Sequence, residues 1–328
     1  MRINRRTLLG GVLAVPVIGS QALAQSTGQS FPNRPLTIAI PFAAGGPTDM
    51  IGRLLAEGMS RELGQPVAAE NLTGAGGTIA AARVAQSRPD GHTLMIHHIG
   101  LAAAATLYRQ LPFNIERGFA PLGVVSHTGM AIVARPDFPA RDLPGYMAVL
   151  REQGDRLNLG HAGLGGSNQL CGMLLQHAAG RSATTIVFRG SAPAMTEMMA
   201  GRLDISCEQA TVVAPFARDG RIKAYAVTLP ERIPGFDVPT AREQGVDLIM
   251  SAWHGLYAVA GTPPEIQQRL AQAARAALRD ERLRQRFAET LTTVATDEEA
   301  TPAHHTRFLA SEIARLRPLI VAAGQFAD

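Results

Sequence analysis

The sequence predicts an α/β protein built from two domains. The chain has 328 residues, of which 46% are hydrophobic. This length exceeds that of a single domain of ordinary size. Short apolar runs alternate with helical patterns, as in parallel strands joined by helical crossovers. Two further apolar runs, 130–134 and 255–260, flank the middle of the chain, and we expect them to connect the two domains.

The first domain begins with a strand over 36–42, a glycine turn over 43–46 and a helix over 48–63. That helix carries an apolar stripe and ends at Gly64. A second strand over 67–70, a turn over 74–77 and a helix over 79–86 lead to a third strand over 93–96. This spacing favours a parallel sheet.

The middle of the chain repeats the order of strand, glycine turn and helix. We predict a strand over 157–160, a turn over 163–166 and a helix over 167–178. The alternation continues through segments 185–188, 194–199, 203–207, 212–217 and 222–227. Helical patterns over 265–278, 281–291 and 302–322 close the chain. Domain 1 is therefore predicted at 31–128 plus 253–328, and domain 2 at 129–252.

Residues 1–24 have the features of a secretory signal peptide. A basic start precedes an uncharged stretch over 7–20, and Ala22-Leu23-Ala24 forms a cleavage site before Gln25. Arg5-Arg6 fits either a twin-arginine signal or the basic region of the general secretion route. The apolar stretch is too short for a stable membrane span. We expect an exported protein, periplasmic in a bacterium.

Charge and composition exclude several functions. Of the formal net charge of +4, three charges come from arginines in the predicted signal peptide. The remaining basic residues form no cluster of the kind that nucleic acid requires. Two cysteines are too few for a disulfide scaffold, and Cys171 and Cys207 either pair or remain two buried thiols.

The three glycine turns indicate anion binding. The start of a helix exposes unpaired N–H groups with partial positive charge, and glycine lets a carboxylate or phosphate approach them. In α/β domains such turns gather at the carboxyl ends of the strands, where ligands bind. The sequences at 43–46 and 163–166 have neither the nucleotide-loop nor the dinucleotide spacing.

Blocks of sequence in a fixed order resemble a known family. They include FPNRPLTIAIPFAAGGPTD (31–49), LPFNIERGFAPLGVV (111–125), FRGSAPAMTEMMAGRLDI (188–205) and WHGLYAVAGTPPE (253–265). Together they resemble the substrate-binding proteins of tripartite tricarboxylate transporters, the Bug (Bordetella uptake) family. The resemblance implies a periplasmic binding protein of the Venus-flytrap, type II-like class, with two crossing hinge strands.

The resemblance also implies which residues hold a small carboxylate. They lie in the first loop of domain 1, in the glycine loop of domain 2 and near two further strand ends. The full set is Phe42, Ala44, Gly45, Gly46, Thr48, Asp49, His98, Gly165, Gly166, Ser167, Asn168, Arg189, Gly190, Ser191 and Glu208. For Asp49, a purely structural role as an N-terminal helix charge is an equal alternative.

Three positions depart from the family pattern and leave the identity of the ligand open. They are His97-His98, Leu164 and Glu208, and the last stands where an aspartate is common. Glu208 would repel a third negative group, which argues against citrate. We expect no metal, because no cysteine or acidic residue lies at ligand spacing beside the histidine pair. His304 and His305 are expected at the surface.

The sequence therefore predicts capture without catalysis and without a cofactor. We expect a monomer that passes a small carboxylate to the membrane permease subunits of a tripartite tricarboxylate-type transporter. The alternative is a receptor that reports the solute to a membrane sensor kinase. An exported hydrolase fits less well, because no G-x-S-x-G motif or paired carboxylates accompany Ser167 and Ser191.

Overall fold

The computed structural model describes residues 31–188, 190–324, 326 and 327, so the predicted signal peptide and Arg189 lie outside it. The strands are β1 (Leu36–Ile40), β2 (Val67–Asn71), β3 (Thr93–His98), β4 (Phe119–Ala134), β5 (Asn158–His161), β6 (Thr184–Val187), β7 (Ile205–Gln209), β8 (Lys223–Val227), β9 (Ser251–Val259) and β10 (Thr292–Val294). The helices are α1 (Pro47–Leu63), α2 (Thr78–Ala85), α3 (Gly100–Leu107), α4 (Leu143–Gln153), α5 (Ser167–Ala179), α6 (Ser191–Met199), α7 (Ala210–Arg218), α8 (Pro264–Arg279), α9 (Glu281–Glu289) and α10 (Pro302–Ala323).

One long strand joins two halves of the sheet. The order is β2-β1-β3-β9-β4-β7-β5-β6, and β8 and β10 also pair with β4. Up to Gly129, β4 pairs with β9 and β10, whereas from Met130 it pairs with β7 and β8. We call β1, β2, β3, β9, β10 and the first part of β4 the first half-sheet, and β5–β8 with the rest of β4 the second half-sheet.

The prediction of a parallel sheet is correct for β1–β3 and β5–β7 and wrong for the connecting strands β4 and β9. β1 pairs in parallel with β2 and β3, and β5 with β6 and β7. β4 and β9 run antiparallel to their neighbours. The reason is that a chain leaving one half and returning must cross in both directions. The division at 128/129 and 252/253 remains a prediction.

Helices cover both faces of the first half-sheet. α1 and α8 contact each other on one side, and α3 and α10 pack together on the other. In α1 the side chains of Ile51, Leu55, Met59 and Leu63 recur every four residues and are buried, because that spacing keeps them on one face of a helix. The helices α3 and α4 were missing from the sequence prediction.

Three further features bear on the predictions. Cys171 and Cys207 form a buried disulfide that ties α5 to β7, which settles the pairing that the sequence left open. The expectation that His305 lies at the surface is wrong, since it is fully buried against Tyr257 and Trp253. Over the part of the chain that the structure describes, no helix has the length and apolarity of a membrane span.

Candidate ligand-binding site

The loop over 43–46 joins β1 to the start of α1. Gly46 is the N-cap of this helix, and no side chain caps its first turn. Pro47 occupies the first helical position, where the missing N–H costs nothing. The remaining N–H groups of the first turn are therefore left without a side-chain acceptor from the cap, as an anion site requires.

Asp49 holds this loop in shape. Its carboxylate accepts hydrogen bonds from Gly45 N (2.9 Å), Arg53 Nε (3.0 Å) and Asn71 Nδ2 (2.8 Å), and Asn71 Nδ2 also donates to Phe42 O (2.9 Å). Burial opposes ionisation, but the hydrogen bonds from Arg53, Gly45 and Asn71 outweigh it and lower the pKa of Asp49. These contacts favour the structural role that the sequence left as an alternative.

The ring of His98 lies beside the same loop at the end of β3. It stacks on Phe42 with ring centroids 4.4 Å apart and is 4% exposed. Gly100 N donates to its Nδ1 at 2.8 Å. Burial, together with the neighbouring His97 and His254, places the pKa of His98 well below 6.5, so the ring is neutral at physiological pH.

The hydroxyl of Thr48 contacts another buried histidine, His254. The hydroxyl oxygen lies 3.0 Å from Nε2 of His254, and Nδ1 of that ring lies 3.2 Å from the hydroxyl of Ser126. All three side chains are buried. This chain of polar contacts anchors the first turn of α1 to β9 and β4.

The loop over 163–166 joins β5 to α5 in the second half-sheet. Gly166 is the N-cap of α5, again without a side-chain cap. Gly165 N donates to Gln169 Oε1 at 2.7 Å, and Gln209 Nε2 donates to Ser167 Oγ at 3.2 Å. The neutral side-chain amides of Gln169 and Gln209 thus hold the start of α5, as the charged pair of Asp49 and Arg53 holds the start of α1.

Glu208 lies at the end of β7 and is 2% exposed. Its carboxyl group accepts hydrogen bonds from Asn168 Nδ2 (2.9 Å), from Gln209 N (2.8 Å) and from the side chain of Ser191 at the start of α6. Burial raises its pKa, and these three donors only partly offset the effect. The donors described by the structure are all neutral, so none of them offsets the burial of Glu208 with a positive charge.

The two groups of residues meet where the loop over 163–166 contacts the first half-sheet. A Cβ placed on Gly76 would lie 2.6 Å from Leu164 O, and one placed on Gly100 would lie 2.4 Å from Gly165 O. The backbones are therefore in direct contact across the junction of the half-sheets. Of the predicted residues, Gly165 lies at this junction, and His98 with the Phe42 ring stacked on it lies next to Gly100.

Sequence reasoning missed several residues that shape the site. Asn71, Gln169, Gln209 and His254 all bond to predicted residues or to their loops. Arg53 could have been found, because it stands four residues after Asp49, the spacing of a helical ion pair. The amides and His254 gave no comparable signal, since their partners are distant in sequence. Arg189 lies outside the described residues.

Neither of two surface grooves includes a predicted site residue. One, of about 560 Å³, lies between the ends of α5 and α10, and the other, of about 370 Å³, lies between α1 and α9. The sequence predicts the site at the loops instead, and that location remains a prediction. Within the described ranges, no group of three or more His, Cys, Asp or Glu is arranged to hold a metal ion.

Comparison with known proteins adds independent evidence. Residues 51–325 match the model of a family described as the tripartite tricarboxylate transporter family receptor. A UPF0065 protein from Agrobacterium vitis is 39% identical over 298 residues, which cover 90% of this chain and 86% of the relative.

Two solved structures are similar to this chain over a comparable share of its length. MatC from Rhodopseudomonas palustris with bound malate is 36% identical, with a TM-score of 0.81 over 88% of this chain and all of MatC. The periplasmic binding protein BugD is 35% identical, also with a TM-score of 0.81, over 91% of this chain and all of BugD.

Proposed function

Since the chain belongs to the tripartite tricarboxylate transporter receptor family, we propose that it captures a small carboxylate in the periplasm and passes it to membrane permease subunits. The family and the fold are those of periplasmic solute-binding proteins. Capture needs no covalent step and no cofactor.

One observation carries the proposal. Two helices from different half-sheets, α1 and α5, begin at glycine N-caps without side-chain caps, and in the first turn of α5 Gln169 N donates to Asn168 Oδ1. The loop before α5 contacts Gly100, and the ring of the nearby His98 stacks on Phe42, which precedes the loop of α1. Each helix start offers N–H groups and partial positive charge to an anion. A ligand with two carboxylates can engage both starts, and the bound malate of MatC is such a ligand.

Glu208 narrows the class of ligand. A buried carboxylate beside Asn168 repels a further negative group but accepts a hydrogen bond from a hydroxyl or an ammonium. The preferred ligand is therefore a dicarboxylate that carries a donor between its acid groups. A tricarboxylate such as citrate would place a third charge close to Glu208.

Calorimetric titration of the purified protein with malate, succinate and citrate tests this. Succinate differs from malate by the missing hydroxyl, and removal of a hydrogen-bonded donor weakens binding by about tenfold. We expect malate to bind more tightly than succinate, and citrate most weakly. Tighter binding of citrate than of malate would overturn the assignment of Glu208.

A variant locates the site. Gly166→Leu places a side chain against Asn168, whose Oδ1 would lie 2.6 Å from the new Cβ, so binding should be lost. Gly145→Leu, in the first turn of α4, is the matched control and should bind normally. Equal binding by both variants would place the ligand elsewhere.

Uptake of labelled malate by cells lacking the gene tests delivery to the permease. We expect uptake to fall and to return with the wild-type gene but not with Gly166→Leu. Unchanged uptake together with a lost transcriptional response to the solute would instead indicate a sensing receptor.

A further inference from the structure

Gly100 touches both the ligand-facing histidine and the opposite half-sheet. A Cβ on Gly100 would lie 2.4 Å from Gly165 O and 2.5 Å from His98 Cε1. The carbonyl of one half-sheet and the ring of the other therefore share the space directly above this residue. Gly100 has no positive φ, so its backbone conformation does not require glycine. Glycine is required here because a side chain would not fit between Gly165 O and the His98 ring.

The N–H of Gly100 also selects the tautomer of His98. It donates to Nδ1 at 2.8 Å, so Nδ1 carries a lone pair. Because the ring is neutral, its single proton is on Nε2. Nε2 forms no hydrogen bond to another of the described residues and is a donor available to a ligand carboxylate.

Gly76 makes the closure contact without touching His98. A Cβ there would lie 2.6 Å from Leu164 O and 2.7 Å from Tyr108 Oη. Its φ of 61° is left-handed, which costs an alanine about 1 kcal/mol. Gly64, with φ of 67° and nothing near its absent Cβ, has the same backbone demand without the contact.

We propose that Gly100 is a positioning residue that couples the closing of the cleft to the hydrogen-bonding state of His98. The proposal rests on the proposed function, since it presumes a carboxylate at Nε2. The loop over 163–166 can close onto Gly100 only where no side chain intervenes, and the same backbone unit holds His98 as an Nε2–H donor. Gly76 takes part in closure only, because it does not contact His98.

Three variants separate the two roles. Gly100→Ala obstructs Gly165 O and displaces the His98 ring, so it should disturb both closure and tautomer. Gly76→Ala should disturb closure and leave His98 unchanged. Gly64→Ala should change neither, and it reports the cost of left-handed strain.

Closure is measured by the distance between spin labels at Ile79 and Val187, which are exposed side chains of opposite half-sheets. The native cysteines are paired in the disulfide and do not compete for the label. In wild type, malate should enrich the shorter distance. In Gly100→Ala and Gly76→Ala the shorter distance should be depleted, and malate affinity should fall about tenfold or more.

The tautomer is measured by nitrogen NMR of the histidine side chains without ligand. We expect His98 to be unprotonated at Nδ1 and protonated at Nε2 in wild type, Gly76→Ala and Gly64→Ala. Gly100→Ala should lose this signature. His98→Gln, which retains a donor near the Nε2 position, should retain more affinity than His98→Ala.

The outcomes distinguish the two proposals. If malate binds to none of the proteins, the proposed ligand is wrong, while the NMR signature and the label distances of the unliganded proteins still decide the role of Gly100. An unchanged His98 signature in Gly100→Ala, or unchanged label distances in that variant, would overturn the coupling. Loss of the signature in Gly76→Ala as well would show a general structural effect and would also overturn it.

Discussion

Asp49 and Glu208 are both buried carboxyl groups near the start of a helix in the candidate site, yet their surroundings differ. Asp49 has the guanidinium of Arg53 and two amide donors, which lower its pKa. Glu208 has only neutral donors among the described residues, and burial raises its pKa. The surroundings of a buried carboxyl group thus lower its pKa in the first half-sheet and raise it in the second.

This difference favours a structural role for Asp49 and a ligand-binding role for Glu208. A carboxylate whose oxygens already accept from Gly45, Arg53 and Asn71 shapes a loop and has little capacity left for a ligand. Among the described residues Glu208 accepts only from neutral donors, so of the two carboxyl groups it is the one that we propose to contact a ligand. Two further contrasts follow the same division: His97, His98, His254 and His305 are buried in the first half-sheet or against it, whereas the second half-sheet holds the buried His161 and the disulfide.

Acid should have the largest effect, and it should act first on the first half-sheet. Burial lowers the pKa of His97 to about 4 and the pKa values of His254 and His305 to about 3. The unfolded chain binds protons below pH 6.5 while these rings stay neutral. Stability is therefore complete above pH 6.5 and falls by about 1.4 kcal/mol per pH unit for each ring.

Urea unfolding between pH 7 and pH 5 measures this slope. His305→Asn keeps an acceptor for Gly123 N and should make the slope shallower by about 1.4 kcal/mol per pH unit. Amide exchange at β3 and β9 should rise before that at β5 and β7. A stability that stays flat down to pH 5 would contradict the prediction.

Removal of the disulfide should destabilise the second half-sheet. The Cys171–Cys207 bond spans 36 residues, and constraining a loop of that length stabilises a fold by about 3–4 kcal/mol. The double variant Cys171→Ala, Cys207→Ala should lose this amount in urea unfolding. A reducing agent should produce the same loss in wild type and none in the variant, and a loss under 1 kcal/mol would show that packing alone secures α5 to β7.

Asp49→Asn should cost stability through its unpaired donors. The amide cannot accept all the hydrogen bonds that the carboxylate accepts, and a buried donor left unsatisfied costs about 1–3 kcal/mol. Thermal and urea unfolding at pH 7 measure the loss. Arg53→Gln is the milder control because the arginine side chain is 49% exposed. A smaller loss for Asp49→Asn than for Arg53→Gln would assign the role to the cation.

Glu208→Gln should have the smallest net effect on stability, because two contributions oppose each other. A raised folded pKa means that the stability linked to Glu208 is present at acid pH and is lost as pH rises through that pKa, and a neutral amide avoids this loss at pH 7. The amide accepts through one oxygen instead of two and leaves a donor less well satisfied, so the variant should be about as stable as wild type at pH 7 and no more stable at pH 4. It should also bind citrate better relative to malate. A clear loss of stability at pH 7 would make Glu208 a scaffold residue like Asp49.

The order of strands, glycine turns and helices around the site was predictable because it depends on local chemistry. Apolar runs, the stripe of α1 and the glycines that open α1 and α5 are all visible along the chain. The helix over Gly100–Leu107 was missed because four consecutive alanines and flanking apolar residues leave it without a polar face, so no periodicity marks it.

By itself the sequence determined the alternating elements, the two crossing strands and the likeness to carboxylate receptors, and it predicted a set of residues that would hold the ligand. Only the tertiary structure decided the surroundings of these residues. Asp49 is paired with the guanidinium of Arg53 and accepts from Asn71, Glu208 accepts only from neutral donors among the described residues, and Gly100 is pressed between His98 and Gly165. The physical reason is that burial, charge pairing and backbone contact depend on residues far apart in the chain, and those meet only once the half-sheets have formed.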